Sequence, residues 1–133
     1  MKKIVSIILV MCSIFCMASA AQRSDDVTPL YEHLTGMSAS LEINSIGYAY
    51  AQATATAEPG YNVTATLALQ QFDDGWKTIK SYTSSGSGIR GTKPYIKMFV
   101  SHGTYQAKVT AVVTDSQGNY IETQTALSKV VRY

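Results

Sequence analysis

Few residues in this 133-residue chain are of types that do chemistry. It holds two histidines, His33 and His102, nine carboxylates and many serines. Catalysis needs a base held within hydrogen-bond reach of a nucleophile or of a transferable proton. No serine lies in a G-x-S-x-G elbow. His102 sits in a Gly-containing corner, Ser101-His102-Gly103-Thr104, and reads as a solvated loop residue. Two histidines with no cysteine near them make a poor zinc site. Asp73-Asp74-Gly75 lacks the alternating acidic ligands of a calcium loop and reads as hairpin geometry. The residues therefore predict a non-enzymatic protein, with no catalytic set, no cofactor and no metal.

One motif spells a phosphate cradle. Gly86-Ser87-Gly88-Ile89-Arg90-Gly91 is G-x-G-x-x-G. Dinucleotide binding requires a helix to start there, because the helix N-terminus receives the pyrophosphate. Thr92-Lys93-Pro94 and a strand pattern follow instead, so the segment reads as a mobile loop after a flexible tract over residues 84–88.

The aromatics are the better lead. Exposed flat rings stack on sugars or anchor protein partners. Tyr48 and Tyr50 alternate with Ala49, Ala51, Ala53 and Ala55. If the alanine face is buried, both tyrosines point outward; a slip of one residue would reverse the faces. Trp76 and Tyr82 lie in the strand after the Asp73-Asp74-Gly75 turn. Tyr48, Tyr50, Trp76 and Tyr82 are the candidate ligand-binding set. The alternative for each is plain coverage of a sheet.

The elements that must carry these residues begin after a leader. Lys2 and Lys3 precede an apolar run broken only by Ser6 and Ser13, and Ala18-Ser19-Ala20 is a small-x-small cleavage site. That order is a secretory signal peptide over residues 1–20. An uncleaved anchor is the alternative, but the run is shorter than the roughly 20 residues a span needs. Lipoprotein processing at Cys16 is disfavoured by Phe15 before it. Cleavage after Ala20 discards Cys12 and Cys16, the only cysteines, so the fold has no disulfide. It also discards two of the 11 Lys+Arg, which leaves them balanced against the 9 Asp+Glu. A neutral domain gives no field for nucleic acid.

Residues 21–37 form an N-terminal segment. Thr28, Pro29 and Gly36 would suit the cap, first position and stop of one short helical turn. From Ser38 the apolar period is two. About seven strands, separated by Gly, Asp and Asn turns, fill residues 38–133. The expected fold class is all-β, an antiparallel β-sandwich of immunoglobulin or fibronectin III character. No later segment is long and apolar enough to span a bilayer, and no sorting motif follows Val130-Val131-Arg132-Tyr133. Release from the cell is the simplest expectation, and an open sheet edge would allow a homodimer.

Two resemblances sharpen this. Ser101-His102-Gly103-Thr104-Tyr105-Gln106-Ala107 resembles the D-x-G-x-Y-x-C segment of immunoglobulin domains. Gly103 and Tyr105 match, Ser101 stands for the aspartate and Ala107 for the cysteine. The resemblance implies a structural tyrosine corner at Gly103 and Tyr105, with the alanines of residues 46–55 facing it. The usual core tryptophan is missing, so the likeness is to the architecture. More broadly, the chain resembles small secreted proteins of unknown function from Gram-positive, mainly clostridial, bacteria. The motifs are Ala39-Ser40-Leu41-Glu42-Ile43, Gly47-Tyr48-Ala49-Tyr50-Ala51, Leu69-Gln70, Gly75-Trp76, Gly103-Thr104-Tyr105, and Gly118 with Glu122-Thr123. Tyr48 and Tyr50 depart from the small polar residues expected between the alanines. This resemblance implies fold and export, and no activity. An exported interaction protein of unknown specific role, binding a protein or cell-envelope partner, is the expectation; the alternative is a carbohydrate-binding module that uses the exposed aromatics.

Overall fold

The computed structural model describes residues 32–133. Residues 1–31, which include the expected leader and most of the N-terminal segment, lie outside the described residues. The described residues form eight strands: β1 (Leu34–Ile43), β2 (Tyr48–Ala57), β3 (Asn62–Phe72), β4 (Trp76–Ser87), β5 (Tyr95–Phe99), β6 (Thr104–Thr114), β7 (Tyr120–Leu127) and β8 (Val131–Arg132). All pairings between strands are antiparallel. One sheet has the order β1-β2-β5. The other has the order β4-β3-β6-β7, with β8 also on β6. The two sheets make a β-sandwich without a disulfide.

Period-two patterning puts one face of each strand inside. Ala49, Ala51, Ala53, Ala55 and Ala57 of β2 are at most 1% exposed, so the alanine face is the buried one. These side chains fill little space. The bulk of the core comes from Leu41, Val63, Leu67, Leu69, Val109 and Val113, all fully buried. Tyr105 is the largest of the fully buried side chains.

Hairpin chemistry fixes the registers. Asp74 and Gly75 take positive φ (57° and 123°), and Asp73 N–H donates to the Gly75 carbonyl at 2.8 Å. Asp115 closes the β6–β7 turn. Its carboxylate accepts N–H bonds from Gln117 and Asn119, both at 2.9 Å. The Asn119 N–H is the main cause that holds this carboxyl below the ordinary aspartate value.

Three sequence expectations change. First, β1 begins at Leu34, so Leu34 and Gly36 are strand residues rather than the end of a helical turn. Residues 28–31 lie outside the described residues. A helical turn this short is marginal alone. Here Leu34 gains a pairing with Ala57, a place in the core and a bond from its N–H to Glu122.

Second, the tract over residues 84–91 is neither a loose loop nor a nucleotide cradle. β4 continues to Ser87, and the chain then crosses to the other sheet. Gly88 N–H donates to Tyr61, and Ala57 N–H to Gly88. Thr92 and Ala55 exchange both backbone bonds. A Cβ on Gly86 would collide with the Gly91 carbonyl, and one on Gly91 with the Ala55 carbonyl. These glycines serve close backbone approach. No helix starts among them.

Third, the last strand is two. Ser128 interrupts it, accepting the Ala107 N–H on its hydroxyl and donating that hydroxyl to the Lys129 carbonyl. With the two-residue β8 the count is eight, in keeping with the about seven strands expected.

Candidate binding surface

Alternation along β2 sends Tyr48 and Tyr50 outward from the three-stranded sheet, opposite to the alanines. β5 supplies their neighbours. Phe99 is paired with Tyr48, Lys97 with Tyr50 and Tyr95 with Gln52. Directly paired residues share a face, so these six side chains form one outer surface. The Tyr48 and Phe99 rings are 4.8 Å apart, tilted by 60°. The Tyr50 and Tyr95 rings meet edge to face at 6.4 Å. Lys97 Nζ lies 5.2 Å from the Tyr50 centroid and 5.5 Å from that of Tyr95. β1 adds Glu42 opposite Tyr50 and Ser40 opposite Gln52. Phe99 (65%) and Tyr95 (55%) are largely exposed. Beyond the end of β2, Ile46 is 67% exposed on a turn held by Asn44 Oδ1, which accepts from Ile46 and Tyr48 N–H.

The chemistry of this face is mixed. Flat rings offer stacking, and the ammonium between two rings offers a point charge. Glu42, Gln52 and Ser40 add hydrogen-bonding groups at the same level.

Trp76 and Tyr82 are elsewhere. Trp76 is paired with Phe72, and their rings meet edge to face at 5.4 Å. Alternation along β3 puts Phe72 on the outer side of the other sheet, so Trp76 is there too. Tyr82 is paired with buried Leu67 and so lies on the core side of β4, at the rim. The four aromatics singled out in the sequence thus occupy three places, and only Tyr48 and Tyr50 come together. Tyr95, Lys97 and Phe99 were missed as site residues. Their signal was present, because Ile96 and Met98 mark the inward face of β5.

The histidines do not converge. His33 donates from Nδ1 to Glu58 Oε1 at 2.8 Å and stacks on Tyr61 at 4.2 Å. It lies beyond the Ala57 end of β2. His102 stacks on Tyr133 at 4.2 Å, and the Tyr133 ring lies against Gly47, beyond the Tyr48 end. A strand of this length separates them by roughly 30 Å. Among the described residues no cluster of three His, Cys, Asp or Glu side chains could hold a metal. Nor is any helix there long and apolar enough to cross a membrane.

Two polar devices shape the frame around the face. Tyr105 donates its hydroxyl to the Ser101 carbonyl at 2.6 Å, closing the corner at Gly103. Glu122 of β7 is buried and accepts N–H bonds from Glu32, His33 and Leu34. Burial pulls its carboxyl upward. The bonds from His33, Gln124, Leu34 and Glu32 outweigh that and hold it below the ordinary glutamate value. A cleft of about 410 Å³ opens between the end of β1 and the β7–β8 connection, lined by Leu41, Glu42, Ile43, Asn44, Lys129 and Val131.

No protein-family model matches the chain, and no curated protein is significantly similar to it.

Proposed function

We propose that this is an exported, non-enzymatic binding domain of immunoglobulin or fibronectin III character, which engages a protein or cell-envelope partner through the outer face of its three-stranded sheet. The observation that carries the proposal is the grouping of Tyr48, Tyr50, Tyr95 and Phe99 around Lys97. Tyrosine is among the residue types on which binding energy concentrates, and a sheet holds these rings in fixed positions. The sheet orders β1-β2-β5 and β4-β3-β6-β7, with the Tyr105 corner, support the immunoglobulin-like reading. Export rests on the pattern of residues 1–20. The likeness to small secreted clostridial proteins points the same way on fold and export.

A second reading, a carbohydrate-binding module, is favoured by one observation. Glu42, Gln52 and Ser40 lie among the rings and could bond sugar hydroxyls while the rings stack. Binding of the purified protein to a glycan array and to isolated envelope protein separates the two. Under either reading a Tyr50→Ala/Tyr95→Ala variant loses the interaction and keeps its fold. Binding to neither probe, or binding untouched by that variant, overturns the assignment of this face.

A further inference from the structure

β4 is the outermost strand of its sheet, paired with β3 on one side and with no strand on the other among the described residues. Its residues are exposed almost throughout. A free strand edge is a template for another strand, and proteins guard such edges with charges, bulges or short length. The other edges of the described sandwich carry such guards. β5 has 5 residues. β1 has a register shift after Leu34 and carries Glu42. β7 has 8 residues and a register shift at Thr114.

β4 is the longest edge strand described, at 12 residues, and like β1 it is guarded only towards its ends. Lys77 and Lys80 flank a register shift that leaves Ile79 without a direct partner on β3. At the other end the chain turns back on itself, with Gly91 N–H donating to the Ser87 carbonyl. Between them, Ser81-Tyr82-Thr83-Ser84-Ser85 has no charge, no proline and no bulge. The centre of that stretch is Thr83.

Tyr82 points to the same edge. It lies on the core side, opposite Leu67, yet it is 51% exposed. An aromatic ring aimed at the core from the last strand of a sheet lacks a neighbour beyond that strand.

We infer that residues 81–85 pair antiparallel with the same segment of a second copy of this chain, about a two-fold axis at Thr83. A two-fold edge pairing is self-complementary. It sets Ser81 against Ser85 and Tyr82 against Ser84 of the other copy. The two Tyr82 rings become diagonal neighbours on the core side, within reach of each other across the axis. On the outer side Thr83 and Ser85 already bond to Thr66 and Thr64 at 2.9 Å, and the hydroxyl rows run on into the second copy. Lys77 and Lys80 of the two copies fall at opposite ends, so no like charges oppose each other. Short of the leader the chain is formally neutral, so long-range repulsion is absent. The pairing leaves the aromatic face of the other sheet free, and it stands or falls independently of that face.

Sedimentation of the purified protein over about a hundredfold range of concentration tests this. A monomer–dimer equilibrium is expected. Thr83→Lys puts like charges on the axis and should leave only monomer, whereas Thr125→Lys, on the far edge strand of the same sheet, should leave the equilibrium unchanged. Circular dichroism checks that both variants fold. Thr83→Cys, in a chain with Cys12→Ser and Cys16→Ser, gives an independent readout: mild oxidation should produce a disulfide-linked dimer, and Thr123→Cys should not. A monomer at every concentration overturns the inference. So does a dimer that survives Thr83→Lys, or one in which Thr83→Cys fails to cross-link.

Discussion

Glu122 and His33 are 89 residues apart in sequence, and the Glu122 carboxylate accepts the His33 N–H at 2.6 Å. The same carboxylate takes the N–H groups of Leu34 and Glu32. One side chain of β7 thus satisfies the backbone where β1 begins, tying the first strand of one sheet to a strand of the other. Replacing it leaves these donors, the buried Leu34 N–H among them, without their acceptor. Glu122→Ala should cost about 1–3 kcal/mol, measured by urea unfolding.

The same contact makes stability depend on pH. The folded Glu122 carboxyl titrates below its ordinary value of 4.5. Its contribution is therefore complete above that value and is lost as pH falls through the lower, folded one. Wild type should lose melting temperature on acidification below the ordinary glutamate range. Glu122→Gln should lose less over the same interval, since it has no carboxyl there to protonate. Parallel melting curves for the two proteins would contradict this role.

The Tyr105 hydroxyl is a separate lock. Tyr105→Phe keeps the buried ring and removes the donor to Ser101. The expected loss is about 0.5–1.5 kcal/mol, read by thermal or urea unfolding. An unchanged midpoint would mean that the corner is held by packing alone.

The alanine stripe of β2 makes the opposite kind of prediction. Ala51 is fully buried, paired with Leu41 on one side and Ile96 on the other. A larger side chain must displace these neighbours. Ala51→Leu should destabilise by about 1–3 kcal/mol despite its greater hydrophobicity. A gain in stability would show slack in this part of the core.

Much of the fold is legible in the sequence, for a local reason. Alternation is a property of neighbouring residues, so the period alone puts the alanines of β2 on one face and Tyr48 and Tyr50 on the other; which face is buried is decided by the packing of the two sheets. The same logic reaches Asp74-Gly75, where the turn demands positive φ. What is not legible comes from contacts distant in sequence. Leu34 becomes a strand residue because Glu122 and Ala57 meet it. The glycines of residues 86–91 read as slack, but they exist because the Gly91 and Ala55 carbonyls pass too close for a Cβ. Trp76 and Tyr82 could not be placed without the register of β4, since the shift at Ile79 puts them on opposite sides of the sheet. The site was half visible: Tyr48 and Tyr50 stood out, whereas their partners Tyr95, Lys97 and Phe99 needed the pairing of β2 with β5.

The central claim is that the outer face of the three-stranded sheet binds a partner. The direct measurement is co-sedimentation of the purified protein with isolated cell-envelope fragments from the organism that makes it, comparing wild type, Tyr50→Ala/Tyr95→Ala and Trp76→Ala. The account predicts that the double variant binds at least about tenfold more weakly while Trp76→Ala binds like wild type. Equal binding by the double variant, or loss confined to Trp76→Ala, would contradict it.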